Sequence, residues 1–349
     1  MQYILFMLGS FLITLTLVPF IKKLAFKVGA VDNPCQRKVH CKPMPRLGGL
    51  AIYLGFVVMV LLTQELSQQV IGLLLGSSII AALGIIDDIK EISPKVKLLG
   101  QILAAGVLVA FNIDVDYITN PFVEGSIIPL KYFNIPVTIL WIVGVTNAVN
   151  LIDGLDGLAA GLSTIAAVTL AIVGHTQGEF LMVALSLMLA ASTLGFLRYN
   201  FYPAQIFMGD SGSMFLGFNL SALAIMGFVK SITILSVFVP ILILGIPIFD
   251  TLFAIIRRYT NAQPIFKADK EHLHHCLLNR GFSHKQTVLV IYATSLFLAG
   301  TGVLLTYLTT AQGMLILAVV STLVLWSAQK IGVIGKPLAK RVSQQTVGK

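Results

Sequence analysis

From its first residues to residue 329 the chain alternates between long apolar runs and short polar connections. The runs occupy 3–20, 47–64, 69–86, 97–112, 134–151, 158–174, 179–197, 212–229, 232–256, 286–308 and 311–329. A helix needs about 20 apolar residues to cross the hydrocarbon core of a bilayer. Backbone amides find no water there, so each run is confined to helix. Eleven such runs leave no stretch long enough for a soluble domain. Composition agrees: 11% of residues are charged, against about 25% in soluble domains. The expectation is an all-α, polytopic membrane bundle of about eleven spans. Residues 1–330 form one membrane-embedded domain and 331–349 a basic tail. The first run lacks a cationic leader and a small-residue cleavage site, so it reads as a span rather than a cleaved signal peptide.

Basic residues set the orientation. With the N-terminus outside, the cytosolic segments are 21–46, 87–97, 198–211, 257–285 and 330–349. They hold every Lys and Arg except Lys131 and Lys230, as the positive-inside rule requires. The odd number of spans places the C-terminal tail in the cytosol. The net charge of +9 is thus a signal of topology rather than of nucleic-acid binding, and it suits anionic lipid or phosphate ligands. Cys35, Cys41 and Cys276 all fall in cytosolic segments, where thiols stay reduced; no disulfide is expected.

The carboxylates gather on the same side. LGIIDDIK, NLIDGLDGL, IFMGDSGSMFLG and IPIFDTLF each abut an apolar run. A carboxylate near hydrocarbon is costly and marks a functional site by default. One of them alone could merely cap a helix at the interface; several at one face argue for chemistry. In NAVNLIDGLDG, Asn147, Asn150 and Asp153 recur every third residue and share one broad helical face. Gly154 and Gly157 then loosen the chain. The result is a polar, glycine-lined wall whose amides hydrogen-bond and whose carboxylates accept hydrogen bonds or hold Mg²⁺. Asn200 and Asp210 bracket a second polar turn, where Phe207 either stacks on a base or anchors at the interface. Ser211 and Gly212 open a helix whose N-terminus attracts anions.

The last large connection holds His272, His274, His275 and His284 among Arg257, Arg258, Lys267, Lys270 and Arg280. A phosphate clamp suits this charge. Zinc on H-x-H-H and Cys276 stays open, although no second ligand pair of the usual spacing is present. The basic, Pro-rich segment 31–49 ends in Gly48–Gly49 and is a weak signal alone. Carboxylates for Mg²⁺ beside cations for phosphate imply phosphoryl chemistry on a nucleotide-like substrate. No phosphate-binding loop or kinase motif is present. A cation-coupled transporter is the alternative from another class, although transport sites sit near the bilayer midplane and only Asp250 lies deep.

These motifs resemble the polyprenyl-phosphate N-acetylhexosamine-1-phosphate transferases. The resemblance covers essentially all of 1–330. It rests on Asp87-Asp88, on Asn147-x-x-Asn150-x-x-Asp153-Gly-x-Asp156-Gly, on Asn200 with FMGDSGS, and on His272-x-His274-His275. It implies transfer of a sugar-1-phosphate from a UDP-sugar to undecaprenyl phosphate, with release of UMP. It further implies dependence on Mg²⁺ (with Mn²⁺ as a substitute), a kinked ninth span beside a lipid-facing groove, and a cytosolic site in the bacterial plasma membrane. A homodimer is left open. By the same resemblance Asp210 is a metal ligand and Asp156 a second. Asp87 and Asp88 form the catalytic pair near the lipid phosphate, and Lys97 contacts phosphate. Asn150, Asp153, Asn200 and Phe207 form the nucleoside pocket, with Phe207 on uracil, and His272, His274 and His275 the pyrophosphate loop. Met44-Pro-Arg46-Leu-Gly-Gly and HLHHC depart from the peptidoglycan enzyme, the phospho-MurNAc-pentapeptide transferase, which stays the alternative. They look like the GlcNAc-1-phosphate branch that primes wall teichoic acid, with Arg46 suited to contacting the sugar.

Overall fold

The computed structural model describes residues 2–32, 43–119, 126–228, 235–264 and 271–333. Its helices are α1 (Gln2–Val28), α2 (Gly48–Thr63), α3 (Gln68–Lys90), α4 (Pro94–Ala110), α5 (Asn134–Ile152), α6 (Leu158–Thr176), α7 (Phe180–Asn200), α8 (Asp210–Phe228), α9 (Leu235–Ile243), α10 (Gly245–Thr260), α11 (Leu273–Leu278), α12 (His284–Leu305) and α13 (Thr310–Ile331). Two short antiparallel hairpins join them. Val31–Asp32 (β1) pairs with Met44–Pro45 (β2), and Tyr117–Thr119 (β3) with Ile127–Pro129 (β4). Cys35, Cys41, Lys230, Lys267, Lys270 and the tail beyond residue 333 lie outside the described residues; Cys276 is a free thiol.

Each of the eleven apolar runs carries helix. Among the described residues seven helices are long and apolar enough to cross a membrane, and a bent pair makes up to eight. The shorter ones fall below that measure for a simple reason. At 16 and 17 residues, α2 and α4 reach only about 24–26 Å at 1.5 Å per residue, short of a core of about 30 Å.

The ninth run is the bent one. α9 and α10 meet at Leu244 with an angle of 88°. Pro247 has no N–H to give the Ile243 carbonyl four residues earlier, so the hydrogen-bond ladder has a gap where the chain turns. α10 then shows its apolar side in steps of three and four residues.

α8 lies at the centre of the bundle. It packs against α2, α3, α5, α6, α7 and α9, and every residue from Ser211 to Gly227 is buried. Small and polar residues make this tolerable. Ser77 Oγ donates to Asn219 Oδ1 at 2.9 Å, and Trp141 Nε1 donates to the Ser221 carbonyl at 3.2 Å. Close packing of small residues and interhelical hydrogen bonds is how helices associate where lipid removes the hydrophobic drive. The C-terminal ends of α3, α5 and α7 and the N-terminal ends of α4, α6, α8 and α12 converge on one end of the bundle. The β3–β4 hairpin, between α4 and α5, marks the other.

Candidate active site

The site is built around the N-terminus of α8. Gly209 precedes it with φ +72°, a conformation that a side chain resists. A Cβ there would also fall 2.4 Å from Asp88 Oδ2 and 2.6 Å from the Arg46 carbonyl. Glycine therefore lets Asp88 come up to the helix end. Asp88 Oδ1 accepts from the Asp210 amide at 2.9 Å and Oδ2 from the Ser211 amide at 3.1 Å. A carboxylate on the first amides of a helix also meets the positive end of its dipole. Gly84 brings α3 this near: a Cβ on it would lie 2.4 Å from Ser211 Cα.

The segment 44–49 is zipped to the residues before α8. The Phe207 amide donates to the Pro45 carbonyl at 2.8 Å, Gly48 to Phe207 at 3.0 Å, and Gly49 to Met208 at 2.8 Å. This pairing carries Arg46 onto the acidic end of α3. Its Nε lies 3.4 Å from Asp88 Oδ1, close enough for an ion pair but not aligned as a hydrogen bond. Its Nη2 donates to the Asp87 carbonyl at 3.4 Å. Arg46, expected at the sugar, thus spends its guanidinium on α3. Phe207, expected on uracil, is half-buried with its backbone in this pairing.

Asp87 faces the other way. Ser93 caps α4, with Pro94 at its first position, and this start places Lys97 one turn in. Lys97 Nζ sits 2.6 Å from Asp87 Oδ2 and 2.5 Å from Asp210 Oδ2. Asp87 Oδ1 accepts from the Ile92 amide at 2.8 Å. One ammonium thus bridges two carboxylates drawn from α3 and α8. Asn150 Nδ2 donates to Ser213 Oγ at 2.8 Å, which ties α5 to the same helix end. Behind it, Asn147 and Gln101 exchange amide hydrogen bonds of 2.6 and 3.3 Å.

Asp153 ends α5 and is half-buried. Burial, then the negative charges of Asp210, Asp88 and Asp156, push its carboxyl up to about 8. Asp156 Oδ2 accepts from the Ala204 amide at 2.9 Å, and its own amide donates to His284 Nε2 at 3.2 Å. Gly157, at φ +78°, gives its amide to Asn200 Oδ1 at 3.0 Å, and Asn200 Nδ2 donates to the Ile206 carbonyl at 3.0 Å. The Tyr292 hydroxyl donates to the Gly157 carbonyl. Asn200, expected in the nucleoside pocket, joins two loops with both ends of its amide.

The histidine loop is anchored from below. Asp250, buried in α10, takes His272 Nδ1 at 2.8 Å on one oxygen and the Leu273 amide at 2.8 Å on the other. This fixes the start of α11. His274 then packs over the DGLDG turn, where a Cβ on Gly154 would lie 2.5 Å from its Nε2. Burial first, then the charge of His275, push His274 down to about 4. At neutral pH it is therefore an uncharged hydrogen-bonding ring, not a cation. Its Nδ1 is buried without a partner.

Among the described residues no three His, Cys, Asp or Glu side chains converge as a ready metal cage, so H-x-H-H and Cys276 do not supply a zinc set. Mg²⁺ needs no such cage, since one or two carboxylates with substrate phosphates and waters suffice. Asp210, Asp156 and Asp153 offer hard oxygen donors. Asp210, Asp88 and Asp156 each act on Asp153 as nearby negative charges, and a cation would relieve that crowding. On those grounds the donor set fits Mg²⁺.

The structure thus gathers Arg46, Asp87, Asp88, Lys97, Asn150 and Asp210 into one network, with Asp153, Asp156 and His274 beside it. Sequence reasoning left out Gln101 and Tyr292. These are ordinary residues in apolar or loop contexts, and only their partners reveal them. Asp250 gave one signal, its depth within an apolar run.

Comparison with known proteins agrees with this geometry. The profile of glycosyl transferase family 4 matches residues 70–228, from α3 through α8. The chain is 51% identical over 284 residues, 81% of its length, to the probable undecaprenyl-phosphate N-acetylglucosaminyl 1-phosphate transferase of Bacillus subtilis, and it spans 79% of that protein. It is 38% identical to the decaprenyl-phosphate N-acetylglucosaminephosphotransferase of Mycobacterium leprae, over 77% of this chain and 75% of the relative. Identity to the phospho-N-acetylmuramoyl-pentapeptide-transferase of Halalkalibacterium halodurans is 32%, over 83% of this chain and 93% of the relative. With half of the aligned residues shared across most of such a relative, and the profile falling on the helices that carry Asp87, Asp88, Lys97 and Asp210, the chain belongs to glycosyl transferase family 4.

Proposed function

We propose that the protein transfers GlcNAc-1-phosphate from UDP-GlcNAc to undecaprenyl phosphate at the cytosolic face of a bacterial plasma membrane, releasing UMP and opening the synthesis of teichoic acid or a related envelope polymer. The observation that carries this reading is the Lys97 ammonium held between Asp87 and Asp210 at the N-terminus of α8. Two anionic substrates repel, and catalysis needs positive charge fixed where they meet. Lys97 supplies one such charge, and its two carboxylates aim it. Asp88 anchors the α8 end and Arg46 buttresses Asp88, so this charge is held in place before substrate arrives. Asp87, which spends one oxygen on the Ile92 amide and the other on Lys97, orients the attacking lipid phosphate through Lys97. His274, neutral and seated over Gly154, offers hydrogen bonds to the diphosphate without drawing it into a fixed ion pair. The uracil side belongs to the turn of Asn150, Asp153 and Phe207.

Asp210, with Asp156 through the oxygen that Ala204 does not use, would hold Mg²⁺, which when bound screens the phosphates and stabilises the leaving UMP. With the N-terminus outside, as the distribution of basic residues favours, all of these groups lie at the inner face. This one-ended placement speaks against a transporter, whose site would lie at the midplane.

UMP release from the purified protein, with undecaprenyl phosphate, Mg²⁺ and a panel of UDP-sugars, tests the reading. UDP-GlcNAc should be the preferred donor and EDTA should stop release. A preference for UDP-MurNAc-pentapeptide would move the chain to the peptidoglycan branch. No release with any donor would reject the enzymatic reading.

A further inference from the structure

Away from the carboxylates, α10, α11, α12 and α13 enclose a cavity of about 220 Å³. Its walls are hydrocarbon: Phe249 and Phe253 from α10, Leu277 from α11, Phe297 from α12, and Leu323 and Ala328 from α13. One carboxylate, Asp250, reaches the wall, but His272 and the Leu273 amide occupy both its oxygens. Thr294 and Ser327 add two hydroxyls, and the rest of the cavity lining is apolar. It opens sideways: Phe297 and Leu323 at its mouth are 53% and 45% exposed, on the flank of α12 and α13 that the bundle leaves to lipid.

The cytosolic rim has the opposite character. Among the described residues, Arg258 at the end of α10, Arg280 after α11, Lys285 at the start of α12 and Lys330 at the end of α13 stand there, and Glu271 is paired with Arg257 at 3.0 Å. Arg280 donates to the Lys330 carbonyl, and Arg257 Nη1 to the Val333 carbonyl at 2.8 Å, which closes the cytosolic end of the slot with cations. An apolar slot open to the membrane core under a basic rim is complementary to one kind of molecule, a lipid with a hydrocarbon chain and an anionic headgroup.

We propose that this slot binds one acyl chain of an anionic phospholipid from the inner leaflet, and that the lipid serves as a wedge beneath the histidine helix. α11 is short, six residues. It lies with Leu273 and Leu277 on the cavity wall while presenting His274 toward the DGLDG turn. An occupied slot supports α11 from below; an empty one lets it settle inward, away from Gly154. The lipid's leaflet and its effect on turnover rest on the proposed function, whereas its binding does not.

The test is native mass spectrometry of the full-length protein from nanodiscs of equimolar phosphatidylglycerol and phosphatidylcholine, followed by assay. One phosphatidylglycerol per chain should survive detergent exchange in preference to phosphatidylcholine. Ala328→Phe, which fills the slot, should release it; if that variant does not fold, Ser327→Leu at the same wall serves. Lys330→Gln and Lys285→Gln should each lower the preference for the anionic lipid by about five-fold, the effect of one surface cation near a charged leaflet. No retained lipid, retention unchanged in the filled variants, retained polyprenyl phosphate in place of phospholipid, or a lipid-free dimer covering the mouth would each overturn the proposal. Retention without any UMP release would uphold the slot while rejecting the transferase reading.

Discussion

Asp88→Asn separates two roles that the adjacent acids could share. In the structure both oxygens of Asp88 are committed to the α8 N-terminus, at 2.9 and 3.1 Å, with Arg46 at 3.4 Å. Asparagine keeps one acceptor and turns an amide N–H toward the other helix amide. One charge-assisted hydrogen bond is lost, at about 1.5–3 kcal/mol, and one buried N–H is left unmet, at about 1–3 kcal/mol. The expected loss is therefore about 2.5–6 kcal/mol, and the midpoint of thermal unfolding in detergent should fall by about 3–8 °C. Asp87→Asn is the control. It gives up a contact with Lys97, which keeps Asp210, so stability should change less while UMP release collapses. The measurement is a melting curve and a release rate on both variants. An Asp88→Asn protein that melts like wild type yet is inactive would refute the anchoring role and make Asp88 a group that acts on substrate.

Further outcomes follow from the same geometry. Lys97→Met should lower kcat/KM by about 10–100-fold, the worth of one charge-assisted hydrogen bond to phosphate; a rate near wild type would remove Lys97 from the site. Gly209→Ala should reduce both folding yield and activity, because a left-handed φ and three contacts under 3 Å oppose a Cβ; a normal enzyme would contradict it. His274 gives a pH signature. Its folded value of about 4 lies below the ordinary 6.5, so the unfolded state takes up the extra proton and stability falls as pH drops through that window. The loss should reach about 3 kcal/mol between pH 7 and pH 4, and His274→Gln should flatten that part of the melting-point profile; an unchanged slope would show that another group carries it.

Much of the helical architecture was legible because hydrocarbon runs admit only helix in a membrane. All eleven runs carry helix, and the family resemblance pointed to the ninth as the run that kinks. The break itself was legible only as a kink, since an 88° turn depends on what α10 packs against. At the site, Asp87, Asp88, Asp210 and Lys97 were visible as charged residues beside apolar runs, yet their pairing was not. That Lys97 bridges Asp87 and Asp210 while Asp88 turns to the α8 amides depends on Gly84, Gly49 and Gly209 letting three backbones approach. A glycine in sequence does not name its neighbour. Arg46 and Asn200 show the same limit. Their residue types suited ligand contacts, and tertiary pairing assigned their polar atoms to α3 and to two loop carbonyl and amide groups instead.

The central claim is that a phosphosugar, not a bare sugar, moves to the lipid. UDP-GlcNAc labelled with ³²P on its β-phosphate, incubated with undecaprenyl phosphate, Mg²⁺ and the purified protein, tests it directly. Attack on the β-phosphorus should carry the label into the lipid fraction and leave unlabelled UMP. Label remaining in UDP while GlcNAc appears on the lipid would mean that the sugar–oxygen bond is the one broken, and would contradict the account.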